Sequence, residues 1–333
     1  KFPIKWKEQG KFLLDGSNRN HEWSGFLPFE HALSILNPSR NYVSSANQHP
    51  SDKLYPYYTY SHNYEYYRGR RLNERLETIL SATLEDIKKI QHDNFNYRAF
   101  EILPFMLEKT DTFYLDKIEK SYFNKLKNWD YFSNPDNIET SIFETWYHFF
   151  ISNLWDEFDT IKFSYRKPTN YHTFYLITNH PELSYYDILS TEKKENLTDL
   201  MNLTFKMSSD SLSKWIKTNS EDISWKNYKN TTIRHILRIK DFNISGVDIG
   251  GNKHILNAAS KTHGPSWRMI VELDPKGVKA WGIYPGGQSG NPGHPNYSSM
   301  INDWASGKYE KLLFNNSPVQ SNNNIVFTKT FNK

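Results

Sequence analysis

The chain has 333 residues, of which 37% are hydrophobic and 16% are aromatic, so it can form a substantial core and is not a disordered protein. Its 41 basic and 37 acidic residues are interspersed, which argues against a nucleic-acid partner. The absence of cysteine excludes disulfides, thiolate metal sites and a cysteine nucleophile. No apolar run is long enough to span a bilayer, so no membrane partner is predicted.

Residues 1–66 consist of short apolar and aromatic runs separated by Gly, Pro and Asn, a pattern typical of strands and loops. We therefore predict a β-rich segment, with one strand ending at Asn47. An asparagine at a strand end can direct its side-chain N–H groups at a developing oxyanion. Asparagine also begins turns for local reasons, so the neighbourhood of Asn47 alone leaves both interpretations open.

Residues 69–240 show the spacing of amphipathic helices, which predicts a mainly helical region. Thr83, with Asp86 three residues later, predicts a helix that begins after Thr83. Pro104 interrupts an apolar run and predicts either a kink or a proline in the first turn of a helix. A further amphipathic stripe is formed by Ile142, Trp146, Phe149 and Phe150.

Residues 244–333 return to a β pattern. Residues 269–273 and 278–283 predict a pair of strands, and the intervening Asp-Pro-Lys-Gly sequence predicts the turn that joins them. The predicted fold class is therefore α+β.

Two separated blocks of sequence carry a resemblance to a known family. The first contains EWSGFLPF at residues 22–29, NYVSSANQ at 41–48 and YRGRRL at 67–72; the second contains HGPSWRM at 263–269 and PGGQSGNP at 285–292. In this order the blocks resemble the penicillin acylase family, amide hydrolases whose nucleophile is the N-terminal residue of a processed chain. Two ordered blocks are more specific than one short motif.

The resemblance implies part of a four-layer αββα sandwich of the N-terminal-nucleophile type, with a helical insertion at about 69–240. It also implies that the three segments together are a fragment of one larger catalytic domain. In this family the larger chain begins with a serine whose own amino group is the base, whereas residue 1 here is Lys1. Residues 1–16 resemble a segment well inside that larger chain. We therefore expect the C-terminal part of the larger (β) chain, inactive alone, whose partners are the smaller chain and the N-terminal half of the larger one.

The intact bacterial protein is expected, by the same resemblance, to be periplasmic or extracellular. It is expected to hydrolyse linear acyl amides, such as penicillins or N-acyl homoserine lactones, through the upstream N-terminal serine. The acyl preference is left open, because much of the acyl pocket is expected upstream of these residues.

The resemblance assigns catalytic roles to two side chains of this chain. Asn47 is expected in the oxyanion hole, and Arg71 is expected to give electrostatic support near it. Because the spacing from Asn47 is slightly longer than in the best-known acylases, Arg68 and Arg70 stay as alternatives. A competing interpretation is that this arginine cluster forms surface ion pairs with neighbouring glutamates.

No cofactor is firmly expected. Family members often bind calcium, partly through an aspartate between the asparagine and the arginine. The matching stretch here, residues 55–61, contains no carboxylate, so the calcium ligand that the resemblance implies at this place is missing.

A tyrosine-rich stretch favours a rival function, a non-catalytic carbohydrate- or polymer-binding module. Such a platform would keep several rings exposed beside basic residues, whereas simple packing would bury most of them. The stretch contains Tyr55, Tyr57, Tyr58, Tyr60, Tyr64, Tyr66 and Tyr67.

Overall fold

The structure, a computed structural model, describes residues 1–52, 54–59, 65–160 and 166–314, together with Lys329 and Phe331. These residues form ten α-helices and five short β-strands, so the predicted α+β class is confirmed. The helices are α1 (Tyr67–Glu77), α2 (Leu84–Gln91), α3 (Tyr97–Glu108), α4 (Lys117–Lys127), α5 (Glu139–Leu154), α6 (Glu157–Thr160), α7 (Asn170–Asn179), α8 (Leu197–Asn219), α9 (Trp225–Lys229) and α10 (Ile301–Ser306).

The main hydrophobic core lies between the helices, where α5 packs against α8. Trp146 of α5 and Phe205 of α8 are fully buried, and their ring centroids lie 4.6 Å apart. The stripe predicted from the sequence is therefore a core face, on which Ile142 and Phe150 are also fully buried. Burial of large apolar side chains of this kind contributes roughly 1.5–3 kcal/mol each.

Helix α2 begins as predicted. The Thr83 hydroxyl accepts a hydrogen bond from the Asp86 backbone N–H, and the Asp86 carboxylate accepts one from the Thr83 backbone N–H. Pro104 lies in the interior of α3, so the alternative of a first-turn proline is wrong. Because proline has no backbone N–H, the Phe100 carbonyl receives no hydrogen bond from that position of the helix.

The strands form two small antiparallel sheets. The first pairs β1 (Thr231–Ile233) with β2 (Ile244–Val247), and the second has the order β3 (Arg268–Asp274), β4 (Gly277–Ile283), β5 (Glu310–Leu312). The predicted hairpin is confirmed, and because Asp274 pairs with Gly277 its loop has two residues. Gly277 has a φ of 137°, which a side chain would disfavour.

The β-rich segment predicted at residues 1–66 is not found among its described residues. They form two 3₁₀-helices, Arg19–His21 and Phe29–His31, and one isolated bridge between Pro3 and Phe26. A strand requires a partner for its backbone hydrogen bonds, and those of this segment are made mostly within local turns. Many of its large apolar side chains stay exposed, as Leu13 and Phe29 show.

Candidate functional site

The loop that carries Asn47 lies against one face of helix α1. Ser44 donates from its hydroxyl to the Asn73 Oδ1 at 2.8 Å, and Arg40 Nη1 donates to the same oxygen at 3.2 Å. Asn73 Nδ2 in turn donates to the Gly69 carbonyl at 2.7 Å. Residues four apart share a helix face, so Gly69 and Asn73 form one docking surface for this loop.

Gln48 fixes the conformation of the loop beside Asn47. Its Oε1 accepts from the Ala46 N–H at 2.6 Å, and its Nε2 donates to the Ser44 carbonyl at 3.2 Å. The same side chain lies over Gly69, where an added Cβ would stand 3.2 Å from Gln48 Oε1. The absence of a side chain at Gly69 therefore lets the loop approach the helix closely.

No strand ends at Asn47, so that part of the prediction is wrong. Asn47 lies in a bend and has a φ of 62°. Asparagine tolerates this left-handed conformation better than most residues that carry a side chain. The position is exposed, and Asn47 is not among the residues that line a cavity of about 520 Å³ between Ile35 and Val43 of the same loop.

Arg68 of α1 is the arginine that reaches Asn47. Its Nη2 donates to the Asn47 Oδ1. Because a guanidinium can only donate, this contact orients the amide with Oδ1 toward Arg68 and Nδ2 away from it. Within the described part of the chain, Nδ2 has no acceptor, so both of its N–H groups are available to a ligand.

Arg68 is only partly exposed and forms no ion pair with any carboxylate of the described residues. Burial lowers the pKa of Arg68, but an arginine remains cationic at neutral pH. The contact with Asn47 therefore places a positive charge directly behind the amide carbonyl. This charge polarises the amide and strengthens Nδ2 as a hydrogen-bond donor.

Arg71 points to a different partner. Its Nη2 lies 2.7 Å from Asp93 Oδ2, and its Nε is 3.1 Å from the same oxygen. The guanidinium also lies 4.3 Å from the centroid of the Phe95 ring. Asp93 is only 7% exposed and accepts a further bond from the Phe95 N–H, so this pair joins α1 to the segment before α3.

Arg70, the third candidate, is exposed and bonds Glu101 Oε1 at 2.8 Å. It also lies over the Tyr97 ring. Arg70 therefore forms an ion pair near the surface, as the competing interpretation predicted, and Arg71 forms a buried one. Of the three arginines, Arg68 is the one that contacts Asn47.

The HGPSWRM block has a structural role that the sequence analysis did not assign. Arg268 is 3% exposed; its Nη1 donates to His92 Nε2 and to the Trp304 carbonyl, and its Nη2 donates to Asn257 Oδ1, each at 2.7 Å. The Trp304 indole donates to the Pro265 carbonyl at 3.0 Å. The block thus connects α2, α10 and the second sheet. The sequence motif does not show that its arginine is buried, so this role could not be predicted from the sequence.

The donor set for calcium does not fit the described residues. Calcium takes six to eight oxygen ligands, usually with several carboxylates. No group of three or more Asp, Glu or His side chains that could hold a metal is found in the described part of the chain. We therefore assign no metal to the site.

The tyrosine-rich stretch does not present an open platform in its described part. Tyr67 is 1% exposed, and Tyr55, Tyr57, Tyr58 and Tyr66 are half-buried. The Tyr55 hydroxyl donates to the His31 carbonyl, while the Tyr57 hydroxyl bonds the His31 ring. These contacts favour packing over sugar stacking; Tyr60 and Tyr64 lie outside the described residues.

The sequence matches the family model for penicillin amidase over residues 1–321. The chain belongs to the penicillin amidase family. This confirms the resemblance inferred from the two sequence blocks and makes the chain part of a family of amide hydrolases.

The structure is similar to that of a thermostable penicillin G acylase from Alcaligenes faecalis. The TM-score is 0.54 at 13% sequence identity, and the match covers 93% of this chain. This similarity shows a shared fold. The chain spans 61% of the length of that penicillin G acylase chain. Among the described residues of this chain, no helix is both long and apolar enough to cross a membrane.

Proposed function

We propose that this chain supplies the oxyanion-binding part of an amidase that hydrolyses linear acyl amides, with Asn47 as the donor and Arg68 as its support. The observation that carries the proposal is the Arg68–Asn47 contact, which leaves Asn47 Nδ2 free to donate. The family membership supplies the reaction class, cleavage of a C–N amide bond.

The physical need for such a donor follows from the reaction. Attack on an amide carbonyl moves negative charge onto its oxygen, and water solvates that charge poorly in a confined site. A fixed N–H donor stabilises the oxyanion without reorganisation, and a single donor of this kind contributes about 3–4 kcal/mol where it has been measured. Arg68 holds the Asn47 amide in the required orientation before the substrate arrives.

The proposed nucleophile is an N-terminal serine outside these 333 residues, on the remaining part of the protein. Its Oγ forms the bond to the carbonyl carbon, its own amino group takes the hydroxyl proton, and that proton passes to the departing amine as the C–N bond breaks. Water then hydrolyses the acyl-serine. Under this proposal the chain alone is inactive, and its partners are the smaller chain and the N-terminal half of the larger one. The intact protein is proposed to be exported, to the periplasm or the medium.

The test uses full-length protein and chromogenic phenylacetyl and fatty-acyl amides. We expect saturable turnover, and we expect mass spectrometry of a quenched reaction to find the acyl group on an N-terminal serine. The 333-residue chain alone serves as the control and should show no turnover. Turnover by that chain alone, or an acyl group on any other residue, would contradict the proposal.

A further inference from the structure

A cavity of about 650 Å³ lies between α5, α8, α9 and the segment of residues 252–261. None of its lining residues belongs to the Asn47 loop, and Arg68 is not among them. This volume falls in the range of small-molecule sites, which are typically apolar pockets with a few polar groups at fixed positions. The cavity therefore needs its own explanation, beyond the proposed hydrolysis.

Aromatic rings form the apolar walls of this cavity. Trp215 of α8 and Tyr228 of α9 meet edge to face with centroids 5.4 Å apart, and Trp225 and Phe149 line the space beside them. The Trp225 indole N–H donates a hydrogen bond to the Gly251 carbonyl, which holds the ring in place. Walls of this kind can bind the apolar part of a ligand, flat or aliphatic, because they bury its apolar surface and stack against its rings.

Two lysines give the mouth of the cavity a positive charge. Lys253 and Lys261 are exposed, and neither forms an ion pair with a described carboxylate. A third, Lys229, is 5% exposed, and its ammonium is surrounded by four backbone carbonyls, those of Ile249 and Gly250 each at 2.7 Å. Lys229 therefore holds the backbone of the cavity wall in place, whereas Lys253 and Lys261 are available to bind a ligand.

The acidic residue of the cavity does not cancel this charge. Glu144 accepts from Arg98 Nη2, from Asn96 Nδ2 and from Asn252 Nδ2 at 2.8 Å, so its carboxylate is already paired and hydrogen-bonded. A paired carboxylate repels an incoming anion much less than a free one. The unpaired charges that face the cavity are thus positive.

His254 adds a polar group to the same space. Burial, followed by the nearby charges of Arg98, Lys253 and Arg68, lowers the pKa of His254 well below its usual value, so its ring is neutral. Its ring nitrogens bond no acceptor or donor of the described residues, although the ring edge packs against Tyr67. A neutral imidazole carries one N–H, and this N–H can be offered to a ligand.

We propose that this cavity binds a small organic anion, a carboxylate carried on an aromatic or aliphatic body. The aromatic walls take the apolar body, and the carboxylate lies at the mouth between Lys253 and Lys261. The proposal concerns binding only and is independent of the amide hydrolysis.

The test is calorimetric titration of the full-length protein with 2-naphthoate, with 2-naphthylmethanol as the neutral probe of the same shape. We expect naphthoate to bind at least about tenfold more tightly than the alcohol, and we expect only its affinity to fall as ionic strength rises. Equal affinity for the two probes would overturn the proposal.

Charge-reversal variants test whether the anion binds within the cavity. The double variant Lys253→Glu/Lys261→Glu should weaken naphthoate binding by about tenfold or more and leave the alcohol unaffected. The matched control Lys276→Glu/Lys311→Glu makes the same change in net charge at exposed positions outside the cavity and should bind as the wild type does. If both double variants lose affinity equally, the anion is bound by net charge and the site assignment is wrong.

Two further variants separate the cavity from the amidase site. Trp215→Ala should weaken both probes, because it removes a wall that each ligand contacts. Asn47→Ala should leave naphthoate affinity unchanged although it lowers kcat. Loss of naphthoate binding in Asn47→Ala would mean that the probe occupies the oxyanion region, and the proposal for this cavity would fail while the amidase proposal stood.

Discussion

Asn47 combines an exposed side chain with a left-handed backbone, and its amide is oriented from behind by Arg68. A non-glycine residue in this conformation costs free energy, and such residues are often found at functional sites. Asn41, six residues earlier in the same loop, has a similar φ of 58°, but among the described residues no arginine donates a hydrogen bond to its side chain. Backbone strain therefore does not distinguish Asn47 from Asn41, whereas the arginine behind the Asn47 amide does.

Asn47→Ala should lower kcat roughly 100- to 1000-fold, because the oxyanion loses its side-chain donor. The free energy of unfolding should fall by about 1 kcal/mol, because the side chain is exposed and the cost is that of alanine at a left-handed position. Steady-state kinetics and urea unfolding measure the two effects. Asn41→Ala is the matched control, because it also places alanine at a left-handed position, and it should retain activity. Equal losses in the two variants would attribute the effect to loop strain.

Arg68→Ala should reduce kcat with a small effect on stability, whereas Arg71→Ala should do the reverse. Removing Arg71 leaves the buried Asp93 with the more distant Arg75, at 3.6 Å, as its cationic partner among the described residues, so we expect a loss of about 2–4 kcal/mol of stability. In a double-mutant cycle, Arg68→Ala should add little to Asn47→Ala, because both act through one amide. A kcat loss confined to Arg71→Ala would restore the assignment that the sequence resemblance favoured.

At the scale of elements, α1 serves as the platform for the loop that carries Asn47. Gly69 and Asn73 lie on the face that receives the loop, while Arg71 on another side of the helix is tied to Asp93. The position of Asn47 therefore depends on how closely the loop approaches a helix, and this distance can be altered without touching Asn47 or Arg68.

Gly69→Ala tests that dependence. The new Cβ would stand 3.2–3.5 Å from atoms of the Gln48 side chain, so Gln48 must move, and the loop that it holds must move with it. Alanine also favours the helix over glycine by about 0.5–1 kcal/mol. We expect lower activity at unchanged or raised stability, measured by kcat and by thermal unfolding. Parallel losses of activity and stability would show that general unfolding, and not loop displacement, is responsible.

At the scale of the whole molecule, the pair formed by His92 and the buried Arg268 joins parts of the chain that lie far apart in sequence. Arg268 donates to His92 Nε2, so that nitrogen carries no proton and the ring is neutral. Burial, and then the charge of Arg268, lowers the pKa of His92 to about 3. The ring of Tyr309 packs against the same histidine.

This depressed pKa predicts acid destabilisation. Below about pH 6.5 the unfolded chain protonates His92 and the folded chain does not, so the stabilisation is complete above that pH and is lost as the pH falls toward 3. Between pH 6.5 and 4.5 the loss should reach about 2–3 kcal/mol. His92→Gln, which keeps an acceptor for Arg268, should remove this part of the slope in urea unfolding, and His263→Gln is the control at an exposed position. A slope that survives in His92→Gln would assign it to other groups.

The sequence by itself determined features that depend on near neighbours. The Thr83–Asp86 cap, the β3–β4 hairpin and the buried stripe of α5 each follow from residues a few positions apart, whose geometry is set by one turn or one helix period. The ordered motifs also determined the family, because they combine separated blocks in one direction.

Only the tertiary structure decided which arginine meets Asn47 and whether residues 1–66 form strands. Arg68, Arg70 and Arg71 are equivalent in type and almost in position, and they differ only in which neighbour each helix face meets: Asn47, Glu101 or Asp93. An apolar run becomes a strand only when a partner strand satisfies its backbone, and the described part of residues 1–66 makes one isolated bridge. Such outcomes depend on contacts between residues far apart in sequence, which local patterns do not contain.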